Sequence, residues 1–151
     1  MFDQLLRRLL APAPAPAPLP LAEGRLALAA LMVRVARADA DYTESEAARI
    51  DRVLARMHGL SPFEAASLRA EAEVLEREAP DTVRFTRALK DSVPIEDRAA
   101  LIEALWSVAL ADGSRHDGED QVIRLTTAFL GLTDRDSAEA RQRAAGAAGT
   151  A

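Results

Sequence analysis

Apolar positions along this chain recur at helical spacing. Over residues 1 to 10, Phe2, Leu5, Leu6, Leu9 and Leu10 fall at i, i+3, i+4, i+7 and i+8, with Arg7 and Arg8 opposite, which is one apolar stripe on an amphipathic helix. A helix that short is marginal alone, so it needs a surface: the rest of the chain, a partner, or weakly a membrane surface. Residues 11 to 20, APAPAPAPLP, break the pattern, because alternating prolines favour extended polyproline II and make a semi-rigid spacer of roughly 30 Å. Such a spacer has few internal bonds and the short helix buries little, so the remainder is expected to fold without residues 1 to 20.

Seven helices are predicted beyond the spacer. The first, about 21 to 38, contains LALAALMVRVARA, apolar nearly all round as suits a central helix. The second opens with a capping-box pattern, Thr43-Glu44-Ser45-Glu46, and stops at Gly59 with His58 in its last turn, where the helix dipole favours a cation. The third opens at Ser61-Pro62-Phe63-Glu64, a capping box with proline at the first helical position, and ends before Pro80. The fourth covers about 80 to 92 with Val83, Phe85 and Leu89. The fifth opens at Pro94 and repeats the greasy character of the first through Leu101, Ile102, Leu105, Trp106 and Val108. The sixth spans about 117 to 130, and Thr133-Asp134-Arg135-Asp136 caps a weaker seventh. Residues 144 to 151, AAGAAGTA, offer no large side chain to bury and are expected to fray.

An internal repeat at a spacing of about 73 residues orders these helices. Ala38-Asp39-Ala40 with Glu46 lies over Ala111-Asp112-Gly113 with Glu119, Leu28 over Leu101, Met32 over Leu105, Val35 over Val108 and Ile50 over Ile123. After a gap of one residue, Gly59-Leu60-Ser61 lies over Gly131-Leu132-Thr133. Each half is a greasy helix, an acidic turn, an amphipathic helix, a glycine stop and a capped helix. Two such units related by a pseudo-twofold would form one bundle with the acidic turns in comparable places.

Composition narrows the chemistry. Of 151 residues none is cysteine, two are histidine and only 4% are aromatic, and the net charge is -5. Disulfides, thiolate nucleophiles and cysteine metal sites are excluded, leaving oxygen and imidazole as metal ligands. The acidic balance sets nucleic acid aside as a partner, since its binders carry a basic face. No run approaches the roughly 20 apolar residues that cross a membrane. The class is all-α: an N-terminal amphipathic helix (1 to 10), an Ala/Pro linker (11 to 20), a helical domain (21 to 143) and a disordered tail (144 to 151).

The doubled pattern of a greasy helix ending in Ala-Asp-Ala or Ala-Asp-Gly, a Glu seven residues after the Asp, and then Gly-Leu-Ser or Gly-Leu-Thr resembles the TerB family, named for tellurite resistance. The same kind of domain stands at the N-terminal side of DjlA-type J-domain co-chaperones. The resemblance covers about 21 to 143, and Ala40 departs from the usual glycine. It implies a non-catalytic, all-helical domain in the cytoplasm of a bacterium, a link to tellurite or stress response, and a metal-binding acidic site at the two turns.

The residues themselves leave two readings of that site. Asp39 and Asp112 stand at helix ends, where a carboxylate opposes the dipole at roughly 0.3 to 1 kcal/mol. With Asp41, Glu44 and Glu46 in one turn, and Asp117, Glu119 and Asp120 in the other, they form a hard-oxygen set suited to Ca, Mg or Mn, with Zn as the remaining candidate and His116 as an extra ligand. On the other reading, the aspartates make ordinary turn hydrogen bonds, and Glu46 and Glu119 are N3 partners of helix caps. Neither turn has EF-hand spacing.

Catalytic patterns are missing. Neither histidine has a Glu three residues before it, as a di-iron bundle needs, and there is no Gly-x-Ser-x-Gly elbow or phosphate loop. Trp106 reads as core. Glu103 reads as a solvated position or one facing the acidic region. Arg49, Arg52 and Arg56 form one face of the second core helix, either solvated or docking an acidic partner. An interaction module with purely structural acidic turns is therefore the alternative to a metal-binding stress protein, its partner protein unspecified.

Overall fold

The computed structural model describes residues 2–10, 21–38, 42–78, 86–87, 89–90, 93–110 and 117–150. Among them the secondary structure is all helical: α1 (Phe2–Leu10), α2 (Leu21–Arg37), α3 (Glu44–His58), α4 (Pro62–Glu78), a 3-10 turn (Ile95–Asp97), α5 (Arg98–Ala109), α6 (Asp117–Phe129) and α7 (Asp134–Thr150). Residues 86, 87, 89 and 90 are helical too. Most of the expected fourth core helix otherwise lies outside the described residues, as do the spacer and both aspartates of the repeat.

Local chemistry sets the helix ends as the residue patterns predict. Thr43 caps α3 with its hydroxyl while Glu46 reaches back to the Thr43 N–H, and Gly59 closes the helix in the left-handed region. At α4 the Ser61 N–H donates to Glu64 at 2.9 Å and the Glu64 N–H to the Ser61 hydroxyl at 3.1 Å. Thr133 and Asp136 repeat the exchange at α7. The two stops are equivalent, with φ of 65° at Gly59 and 77° at Gly131 and open space around each Cα. An added methyl would meet no atom, so only the backbone opposes it. Gly59→Ala and Gly131→Ala are therefore expected to destabilise by about 1 to 2 kcal/mol each, a matched fall of a few degrees in melting temperature, checked by thermal unfolding followed by circular dichroism.

The packing follows the repeat. The greasy helices α2 and α5 face each other at the centre; α2 packs most heavily on α4, as α5 does on α7. Each amphipathic helix also crosses to the other half, α3 onto α5 and α6 onto α2. That exchange is the signature of a pseudo-twofold. From Leu26 to Ala36, every residue of α2 except Arg34 is buried, and Leu101, Ile102, Leu105 and Val108 do the same for α5. Equivalent pairs Met32 and Leu105, Val35 and Val108, Ile50 and Ile123 all lie in one core. Trp106 joins it, donating its indole N–H to the Ser137 hydroxyl at 3.0 Å beneath the Arg141 guanidinium.

Helix α1 is part of the domain: Leu5 is fully buried and Leu9 is 3% exposed in the common core, and the helix lies on α4. A ten-residue stripe looks dispensable by length, yet two leucines a turn apart reach one surface and bury completely. At the other end α7 runs from Asp134 to Thr150. Alanine is the best helix former, and buried Ala140 and Ala144 let α7 lie close on its neighbours.

Candidate functional site

The candidate residues fall into three sets. Glu46 is described in full. Asp117 and Glu119 belong to the first turn of α6, by backbone position only. Asp39, Asp41 and Asp112 lie outside the described residues, as does His116. Among the described side chains, no three of His, Asp or Glu gather as a metal-binding group would. Glu44 is exposed at the start of α3 and Asp120 half-buried in α6.

Glu46 separates itself from the other capping carboxylates. Its Oε1 accepts from the Thr43 N–H at 3.0 Å and from the Thr43 hydroxyl at 3.1 Å, as the N3 residue of a cap should. Glu64 and Asp136 hold the same station on α4 and α7, but Glu64 is exposed and Asp136 only partly covered. Hydrogen bonds from the backbone N–H and then the hydroxyl of Ser61 and Thr133 hold those two carboxyls below the usual carboxylate range. Glu46, by contrast, is fully buried in the first turn of α3. Its Oε2 is sealed from solvent with no hydrogen-bond partner among the described residues. A cap needs one carboxylate oxygen; the second one has no partner among the described residues, and an unmet buried oxygen is costly.

An ionic cluster that the sequence patterns did not single out braces the same end of the molecule. Glu76 on α4 takes Arg37 at 2.9 Å and Arg34 at 3.4 Å, and Arg37 also lies 5.3 Å from the centre of the Tyr42 ring. Next to it Arg69 pairs with Asp51 at 2.6 Å and with Glu73 at 3.2 Å. Asp51 raises the Arg69 pKa further. Burial and the neighbouring Glu73 carboxylate push the Tyr42 hydroxyl well above its ordinary value. Both residues that flank the first turn, Arg37 and Tyr42, are thus anchored. The available signal was two arginines three apart in an otherwise apolar helix, which ask for a buried partner.

His58 corrects an expectation. The dipole at the end of α3 favours imidazolium, but burial and then the nearby Arg25 guanidinium lower its pKa. The folded protein therefore resists protonation that the unfolded chain accepts near pH 6.5. Since the unfolded state binds the extra proton, stability contributed by His58 is present above that pH and is lost as pH falls towards the folded pKa. Between pH 7.5 and 5.5 the urea midpoint of the wild type should fall more than that of His58→Gln; equal falls would remove His58 from the account.

Glu103 is partly exposed and pairs with Arg143 of α7 at 3.0 Å, so it faces another helix rather than an acidic turn. Arg49, Arg52 and Arg56 share one face of α3, with Arg52 and Arg56 exposed.

Comparison with known families is decisive for this arrangement of two capped hairpins of greasy and amphipathic helices. Residues 25–142 match the family model described as Tellurite resistance protein TerB. The chain belongs to the TerB family. No curated protein matches it, and no solved structure does. The matched residues begin inside α2, so α1 is an element that this TerB-family chain carries outside them. No helix among the described residues is long and apolar enough to cross a membrane.

Proposed function

We propose that this TerB-family chain is a non-catalytic stress-response protein of the cytoplasm, of the tellurite-resistance kind, that binds a divalent cation at its acidic turns. Asp39, Asp41 and Glu46 would hold the ion in the first half, and Asp112, Asp117 and Glu119 in the second. The observation that carries the reading is the Glu46 Oε2: a buried carboxylate oxygen five residues after Asp41 in sequence, with no partner among the described residues once the cap is made. A hard cation fits such an oxygen, and Ca, Mg or Mn suit an all-carboxylate set better than Zn. The bound ion would offset the repulsion of carboxylates at the end of α2 and tie α2 to α3.

A cation at 100 times its dissociation constant should stabilise the fold by about 2.7 kcal/mol, a rise of roughly 5 to 10 °C for a domain of this size, reversed by chelator. Asp39→Asn with Asp112→Asn keeps turn hydrogen bonding and removes two charges, so it should abolish that rise while leaving the metal-free melt unchanged or higher. Glu46→Gln keeps an oxygen for Thr43 and should likewise lose the metal response. Melting curves that ignore Ca, Mg, Mn and Zn at millimolar concentration, or titration calorimetry with undiminished affinity in the double variant, would overturn the assignment.

A further inference from the structure

The pseudo-twofold makes α3 and α6 equivalent, and their outer faces have opposite chemistry. Arg49, Arg52 and Arg56 on α3 fall at the stations that Val122, Leu125 and Phe129 occupy on α6. The architecture is therefore satisfied by apolar side chains at those three places, and arginine there is not a demand of the fold. Three arginines at i, i+3 and i+7 form a row about 10 Å long.

Among the described residues that row is unpaired: Arg34, Arg37, Arg69, Arg135 and Arg143 each have a carboxylate within ion-pair distance, whereas Arg49, Arg52 and Arg56 have none there. Arg49 is half-buried, and its Nε is shut from solvent without a hydrogen-bond partner among the described residues. Burial, followed by repulsion from Arg52 and Arg56, disfavours its charge. In a chain of net charge -5, three cations crowd together and no anion among the described residues relieves them. Small exposed neighbours, Ser45 and Ala48, leave room for a chain to lie along the row.

We infer that the Arg49, Arg52 and Arg56 face of α3 is a docking surface for an acidic polypeptide segment, one that presents carboxylates at the same i, i+3, i+7 interval. The length of the row selects this occupant. A single small anion spans far less than 10 Å, and nucleic acid or a lipid surface calls for a broad basic face that this acidic chain lacks. Guanidinium groups offer paired donors that match carboxylates closely. The surface is independent of the cation site: it needs none of the acidic-turn residues.

The probe is a fluorescein-labelled synthetic helical peptide with Glu at i, i+3 and i+7, titrated with the full chain and read by fluorescence anisotropy. Binding should be clear at low ionic strength and weaken steeply with added salt. Arg52→Gln with Arg56→Gln, both exposed positions that leave the fold intact by circular dichroism, should weaken it at least tenfold. Arg77→Gln with Arg87→Gln removes the same charge from other exposed positions and should change it less than twofold. Absence of binding overturns the proposal, as does equal loss in the two variants, which would show a net-charge effect only. Dependence on Arg52 and Arg56 found with inorganic phosphate or phosphatidylglycerol vesicles but not with the peptide overturns it too. So does salt-sensitive self-association abolished by the same pair, which would make a second copy the occupant.

Discussion

Leu5→Ala combined with Leu9→Ala is expected to lower the unfolding free energy by about 4 kcal/mol or more, since each removes a buried leucine and opens a cavity. For a domain of this length that is a fall of roughly 10 °C or more in melting temperature. Both side chains are enclosed by the common core, and α1 lies on α4. Deleting residues 1 to 20 should do at least as much, because it also bares the strip of α4 beneath. Arg7→Ala, an exposed change on the same helix, should stay within about 0.5 kcal/mol. A double-leucine variant that melts like the wild type would detach α1 from the domain.

The second large effect tests the symmetry. Ile50 on α3 and Ile123 on α6 are equivalent in the repeat and fully buried. Each isoleucine-to-alanine change is expected to destabilise by about 2 to 5 kcal/mol, and the two losses should agree within about 1 kcal/mol if their surroundings are as alike as the packing indicates. Urea denaturation at constant slope measures both. A several-fold disparity would mean that one half carries the core and the other is laid upon it.

Much of the fold is legible in the residues because it is locally encoded. Thr43 with Glu46, Ser61 with Glu64 and Thr133 with Asp136 each announce a helix start through two hydrogen bonds between neighbours in sequence. Gly59 and Gly131 announce the stops by the one backbone region that other residues avoid. The docking of α1 is not legible in this way, since nothing in Phe2 to Leu10 specifies whether its stripe meets α4, another protein or lipid. The same holds for His58, whose position beside the Arg25 guanidinium depends on how α2 and α3 pack and outweighs the dipole of its own helix. At the candidate site, the cap made by Glu46 follows from spacing. The burial of its second oxygen does not, because solvent exclusion there is a property of the assembled bundle.

The crossing of α3 onto α5 and of α6 onto α2 has a bearing on origin. A chain ending near residue 92 would hold one complete set of greasy, amphipathic and capped helices, yet it would expose on α2 and α3 the surfaces that the second set now covers. Those surfaces are matched to a near copy of the set itself. Two such short chains would satisfy each other by exchanging amphipathic helices across a true twofold axis, and fusing them end to end yields the present order of elements. The bundle is in this sense a homodimer written into one polypeptide. In a single chain, unlike a true homodimer, equivalent positions can differ, and the cationic face of α3 against the apolar face of α6 is the clearest mark of that freedom.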